Sequence, residues 1–390
     1  GLASTWDYGP LGVELKRNIK NHWWKSIVTS NENVVGMDAA ILMHPKVWEA
    51  SGHVENFHDP LIDNKETKKR YRVDHLLSEQ SEGVIQNLLS KFNLDVKKDA
   101  NQDECFQAII AQLMESSNSS EAMKECQVID PFNKNIGEWT DLRQFNLMFK
   151  THMGPVQESG SEIYMRPETA QGIFVNYLNV QSTARQKLPF GIAQIGKAFR
   201  NEITTGNFIF RTREFEQMEM EFFCHKDDTK KWIKHWSEER LNWFKSLGIN
   251  QDKLRLRAHG KDELAHYSSA CFDVEYQFDF GWSELEGIAD RGTYDLDQHI
   301  EHSGKKLTYF DTINNQHFVP AVVETSAGVD RALLTVLADA YTEEEINGDK
   351  RVLLKLSPKV APITVAVFPL MNKDGMPEIA QKLTADLRKN

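Results

Sequence analysis

The sequence predicts an α+β protein of more than one domain, and three observations predict it. Lys197–Phe223 reads as two strand-like runs joined by the turn residues Thr204–Asn207, a long antiparallel hairpin. Residues 79–135 change texture to polar, helix-rich sequence and read as an inserted helical subdomain. The 390-residue length exceeds one ordinary domain, and its last part reads as one strand and one helix that cannot bury their own apolar faces.

In chain order, Leu15, Ile19, Trp23 and Ile27 recur every fourth position after Gly9-Pro10, an amphipathic helix expected to end near Thr29. The run VVGMDAAILMHP then reads as a strand buried on both faces, or pressed against another subunit, and stops at Pro45. Within 79–135, GVIQNLLSKF and CFQAIIAQLM are short amphipathic pieces separated by DVKKDANQD and ESSNSSEAMK. Aromatic-rich, strand-like sequence returns at WTDLRQFNLMF and dominates from Tyr164 to Phe223. A helix carrying Trp232, Ile233, Trp236 and Trp243 follows, then further strands to Val323. A strand ends at Glu324, the small-residue turn TSAG follows, and a helix opens after Gly328 with Val329, Leu333, Val336, Leu337 and Ala340 as its buried stripe. PITVAVFPL and a helix with Ile379, Leu383 and Leu387 on one face close the sequence.

Composition excludes some functions. Lysine plus arginine number 46 against 57 Asp plus Glu, a net charge of −11 that repels nucleic acid and anionic membrane at long range. An indiscriminate histone-like or coat-like binder is excluded; a local basic groove is not. Cys105, Cys126, Cys224 and Cys271 form no C-x-x-C pair and no Cys/His spacing. They are expected as small buried apolar residues in a reducing compartment, with neither disulfides nor zinc. No apolar run approaches the ~20 residues of a bilayer span, so no membrane partner is expected. GLASTWDYGPLG has no charged or apolar leader and no initial Met, so the sequence is expected to begin inside a longer protein.

The hairpin carries the chemistry. On its second strand, period two sends Met218, Met220 and Phe222 one way and Arg213, Phe215, Gln217, Glu219 and Glu221 the other. The second set could bind a ligand combining a ring, an anion and a cation. Phe215 could stack on a base, Arg213 and Arg200 could fork a phosphate, and Glu219 could hold an ammonium. An exposed charged ladder is the equal alternative. Arg331 lies in the first turn of the helix after Gly328, where the dipole disfavours a cation. A bound polyanion would reverse that penalty; an ion pair with Asp330 or another carboxylate would also do so.

FRNE (Phe199–Glu202) followed by FRTREFEQME (Phe210–Glu219) resembles motif 2 of class II aminoacyl-tRNA synthetases, and GVDRALL resembles motif 3. The N-terminal helix, apolar strand and Pro45 resemble motif 1, the dimer-forming element. DYGPLGVELKRNI, DAAILMHPKVWEASGHV, YRVDHLL, EWTDLRQFNLMF, YMRPETAQGIFVNY and GWSELEGIADRGTYDL narrow the resemblance to glycyl-tRNA synthetases of the homodimeric type, over almost the whole chain.

This resemblance implies a class II antiparallel sheet flanked by helices, with a catalytic core over 1–78 and 136–355 and a helical insertion over 79–135. Residues 356–390 would begin an α/β anticodon-binding domain, of which about a third is present. It implies a cytoplasmic homodimer acting on glycine, ATP with Mg²⁺, and tRNA(Gly). Arg200 and Arg331 are the catalytic residues carried over, Arg200 on the α-phosphate and Arg331 on the γ-phosphate. Asn201, Glu202, Phe210, Arg211, Thr212, Arg213, Glu214, Phe215, Glu284, Leu285, Gly328, Val329 and Asp330 complete the ATP site, with Phe215 stacking on adenine and Glu284 a Mg²⁺ ligand. The glycine site comprises Arg72, Glu168, Phe215, Glu216, Gln217, Met218, Glu219, Glu324, Thr325, Ser326, Ala327 and Gly328. Within it, the carboxylates of Glu168, Glu219 and Glu324 surround the ammonium. The insertion is expected to touch the tRNA acceptor arm. The rivals are a class II enzyme for serine, threonine, proline or histidine, and a non-catalytic synthetase-like RNA-binding protein.

Overall fold

In the computed structural model, residues 1–94, 102–155, 162–203, 205–260 and 269–389 are described; Thr204 and most of DVKKDANQD lie outside them. Seven strands form one sheet in the order Val34–Gly36, Phe190–Phe199, Glu214–Cys224, Ala321–Gly328, Gly281–Gly292, Ala270–Phe278, Leu254–Ala258. The first pair is parallel and the others are antiparallel.

Side-chain alternation gives this sheet two different faces. Met218, Met220 and Phe222 pack with Leu15, Ile19, Trp23 and Ile27 of the Pro10–Trp24 helix and its Lys25–Thr29 extension. Trp236 and Trp243 of the Thr229–Ser246 helix and Val329, Leu333 and Val336 of the Val329–Ala340 helix complete that core. Across the opposite face, helices Ala170–Thr183 and Tyr294–Ser303 cover one end through Phe174, Tyr177 and Leu296, leaving the other end open.

The helical pieces of 79–135 form Glu82–Lys91, Gln102–Glu115 and Ser119–Glu125. ESSNSSEAMK is therefore a helix from Ser119 onward, not only a separator. These helices share a core with Ile62, Val73, Leu76, Leu77 and Trp139, so the subdomain's packing reaches beyond 79–135 on both sides.

Three expectations change. The VVGMDAAILMHP run forms a strand only over Val34–Gly36, and Leu42 is 52% exposed, so it is not buried on both faces within this chain. The hairpin turn is not a tight TTGN turn: the ladder stops at Phe199 and resumes at Glu214, and an isolated Gly206–Arg211 bridge stands between. No strand forms over 362–370, because an extended segment needs a neighbour to complete its hydrogen bonds. The helix that follows, Met376–Leu387, leaves Ile379, Leu383 and Leu387 exposed. Among the described residues all four cysteines are free, and no helix is long and apolar enough to cross a membrane.

Candidate active site

The open end of the second sheet face holds a cleft of about 130 Å³ that opens to solvent. Arg200, Glu202, Phe210, Arg211, Thr212, Phe215, Glu284, Leu285, Gly328, Asp330 and Arg331 line it, as do Gln217 and Ser326. Residues far apart in sequence meet here because the hairpin lies beside the Ala321–Gly328 strand, pairing Glu219 with Ser326 and Gln217 with Gly328.

Two arginines line the cleft. Arg200 donates Nε to the Pro167 carbonyl at 3.0 Å, with its guanidinium 5.4 Å from the Phe215 ring centre. Arg331 sits 4.3 Å from the Phe210 ring centre and donates to the Phe210 carbonyl at 3.2 Å. Its carboxylate neighbour is Glu284, at 3.3 Å, rather than Asp330. Asp330 instead accepts from Lys16 Nζ at 2.8 Å, from Tyr8 Oη and from the Glu216 N–H at 2.9 Å.

Behind Gln217 and Ser326 lies an acidic pit. Glu219 is buried and takes four donors: Thr169 N at 2.9 Å, Thr169 Oγ1, Gln217 Nε2 at 2.9 Å and Ser326 Oγ at 2.6 Å. Glu324 accepts Arg291 Nη1 at 2.7 Å, and Glu168 accepts Gln171 Nε2 at 3.0 Å with His53 Nε2 3.4 Å away. Glu221 faces Glu324 across the ladder, fully buried, with neither carboxylate oxygen hydrogen-bonded.

Burial and the charges of Glu324 and Glu168 outweigh the Ser326 and Thr169 hydrogen bonds and push the Glu219 carboxyl up to about 7. Glu168 goes the other way: burial alone would raise it, but His53, Arg291 and Gln171 hold it below the usual carboxylate range. Burial also raises Glu324 and Glu221.

Some expected site residues lie elsewhere. Met218 and Ala327 are fully buried in the core on the opposite sheet face, with Val329 beside them. Thr325 is equally buried, its hydroxyl without a hydrogen-bond partner. Glu216 pairs with Lys16 and Lys20, and Glu214 with Lys197. The physical reason is the pleat: a continuous run cannot all face one ligand. Arg213 precedes the strand and spends its guanidinium on the Glu202 and Ala3 carbonyls. With Asn201 it lines a neighbouring cleft beside Lys65, Lys68 and Arg70. Arg72 pairs with Asp74 and Asp59 outside the main cleft.

Residue-by-residue reading missed Thr169, Gln171 and Arg291, and placed Glu221 on the ligand face without a role. Gly287, Ala289 and Arg291 alternate along one strand face, a signal that small residues make room beside a single buried arginine. For Mg²⁺, Glu284 Oε1 and Asp273 Oδ1 lie 3.7 and 4.0 Å from where a side chain on Gly287 would stand. One or two carboxylates beside bound phosphates is how Mg²⁺ is usually held. His259, Cys271 and Asp273 also converge, their ligand atoms within 4.8 Å of one another. Arg257 Nη2, 3.0 Å from Asp273 Oδ2 and 3.3 Å from His259 Nε2, puts positive charge where a cation would sit.

An antiparallel sheet with paired arginines over such a cleft is the class II synthetase core. Residues 149–340 match the family described as tRNA synthetase class II core domain (G, H, P, S and T). Residues 59–147 match the glycyl-tRNA synthetase insertion domain 1. The chain is 50% identical to the glycine–tRNA ligase of Caldanaerobacter subterraneus subsp. tengcongensis, over 100% of this chain and 79% of that protein. It is 51% identical to that of Lysinibacillus sphaericus, over 100% and 79%, and 53% identical to that of Acetivibrio thermocellus, over 96% and 77%. The chain belongs to the glycine–tRNA ligase family.

Proposed function

We propose that this chain ligates glycine to tRNA(Gly) through glycyl-adenylate. The observation that carries this reading is the junction of the two sites. Gln217 and Ser326 line the arginine-bearing cleft and donate to Glu219 directly behind them, so an ammonium in the pit and a phosphate in the cleft belong to one short ligand. In the first step a glycine carboxylate oxygen bonds to the α-phosphorus of ATP and the bond to the β-phosphate oxygen breaks, releasing pyrophosphate. Arg200 stabilises the charge developing on the α-phosphate, and Arg331 orients the γ-phosphate. Glu284, with Asp273 near it, would hold Mg²⁺ against the phosphates, where the ion neutralises charge. In the second step a hydroxyl of the terminal tRNA adenosine attacks the adenylate carbonyl, and AMP leaves. Charging of tRNA(Gly) transcript with labelled glycine tests the whole reading; no charging at saturating ATP would end it.

Selectivity follows from size. Every competing amino acid is larger than glycine, so a pit walled by hydrogen-bonded side chains rejects them by overlap, and no editing site is required. The ammonium needs Glu219 ionised. Because that carboxyl is raised to about 7, a proton must leave as glycine binds at lower pH. The KM for glycine is therefore expected to be flat above pH 8 and to rise toward about tenfold per unit well below 7. A KM constant from pH 5.5 to 8.5, about the span over which Glu219 would titrate, contradicts this.

Two partner surfaces belong to the same proposal. The acceptor end of tRNA passes the second cleft, where Lys65 and Lys68 are exposed beside the hairpin connection. Lys65→Glu with Lys68→Glu is expected to raise the tRNA KM about tenfold at low salt, leaving pyrophosphate exchange unchanged; equal tRNA KM values would exclude the route. The chain pairs with a second copy through the N-terminal helix and the 34–45 segment, on which Leu11, Val13 and Leu42 are exposed. Sedimentation is expected to give a dimer, and a monomer at micromolar concentration would refute it.

A further inference from the structure

The connection from residue 200 to 213 carries Phe210, Arg211 and Thr212 into the cleft, yet among the described residues its only ladder contact is the isolated Gly206–Arg211 bridge. Asn207 and Phe208 both have positive φ, 52° and 58°, in a region that a bulky side chain adopts only when its surroundings impose it. The chain's first few residues lie against this connection, with Trp6 and Phe208 each about half exposed. Trp6 meets the Phe208 ring edge to face, at 4.6 Å and 78°. Ser4 Oγ and Thr205 Oγ1 share a 2.6 Å hydrogen bond. The Arg213 N–H donates to the Ser4 carbonyl at 3.0 Å, and its guanidinium to the Ala3 carbonyl at 2.8 Å.

The same segment also reaches the helix that carries Arg331. Tyr8 donates to Asp330, the residue before Arg331, and Lys16 spans Asp330 and Glu216 while its ammonium lies 4.3 Å from the Tyr8 ring centre. Asp330 is buried, so these donors fix the first turn of the Val329–Ala340 helix, from which Arg331 projects onto Phe210. Both ends of one short segment thus bear on the Phe210–Arg331 contact that lines the cleft.

We propose that residues 3–8 are a positioning clasp for ATP, in which Trp6 holds the 205–213 connection and Tyr8 holds Asp330 so that Phe210 and Arg331 stay in register. The proposal rests on reading the cleft as an ATP site. Neither Trp6 nor Tyr8 touches substrate; each acts through a neighbour.

The test is calorimetric titration of the full chain with ATP, alongside glycine KM values from pyrophosphate exchange. Trp6→Ala is expected to weaken ATP binding about fivefold to tenfold, the size of one lost edge-to-face pair. Glycine KM and Tm should stay as in the unaltered protein, and Trp6→Phe should restore ATP affinity. Unchanged ATP binding in Trp6→Ala would overturn the proposal. So would a parallel loss of ATP affinity, glycine affinity and Tm, which would mark a merely structural residue. An unaltered protein that binds ATP but gives no glycine-dependent exchange defeats the ligase reading alone, since the titration still reads the clasp.

Discussion

Arg200→Ala is expected to lower glycine-dependent exchange of pyrophosphate into ATP by about 10²–10³-fold, or about 3–4 kcal/mol, the usual cost of one donor aimed at developing charge. The side chain is placed for that role. Its side-chain hydrogen bond to the Pro167 carbonyl, the only one among the described residues, fixes the direction of the guanidinium. Phe57 and Phe215, with ring centres at 5.6 and 5.4 Å, flank the guanidinium. Truncation removes only that hydrogen bond and the ring contacts, so stability should change by about 1 kcal/mol and Tm should barely move. Arg200→Lys keeps a charge but not the planar fork, and should recover only part of the rate. Exchange surviving in Arg200→Ala would remove the electrostatic role assigned to this residue.

Arg291→Leu is expected to cost about 3–5 kcal/mol of stability, the range for breaking a buried ion pair by removing one partner. Arg291 is 3% exposed and binds Asp295 through two nitrogens, at 2.7 and 2.9 Å, with the third on Glu324 at 2.7 Å. Without it, Asp295 and Glu324 are left buried beside Glu221 and Glu219, and carboxylates must take up protons or the pit must open. Glycine KM should rise along with the loss of stability, because Glu324 loses the guanidinium that favours its charged form against burial. Urea unfolding measures the first effect and exchange kinetics the second. A loss below about 1 kcal/mol would mean that water reaches the pit and screens it.

Sequence reading succeeded where local periodicity carries the information. Period two on Glu214–Cys224 separated Met218, Met220 and Phe222 from Gln217, Glu219 and Glu221, and the sheet buries the first set under helices and turns the second toward the cleft and pit. It overreached by giving whole runs to the site, since Met218, Thr325 and Ala327 point away by the same alternation. Contacts between distant segments were not legible. Nothing near Arg291 in sequence announces Glu324, and nothing in GLASTWDY announces that it lies over the hairpin connection. The apolar character of VVGMDAAILMHP was legible, but an apolar run does not say whether its cover is in the same chain.

The central proposal is that the size of the acidic pit admits glycine alone, and pyrophosphate exchange into ATP with glycine, alanine or serine as the only amino acid tests it most directly. Exchange supported by glycine and not by alanine or serine is the predicted result. Equal exchange with alanine or serine, or none with glycine, would contradict it.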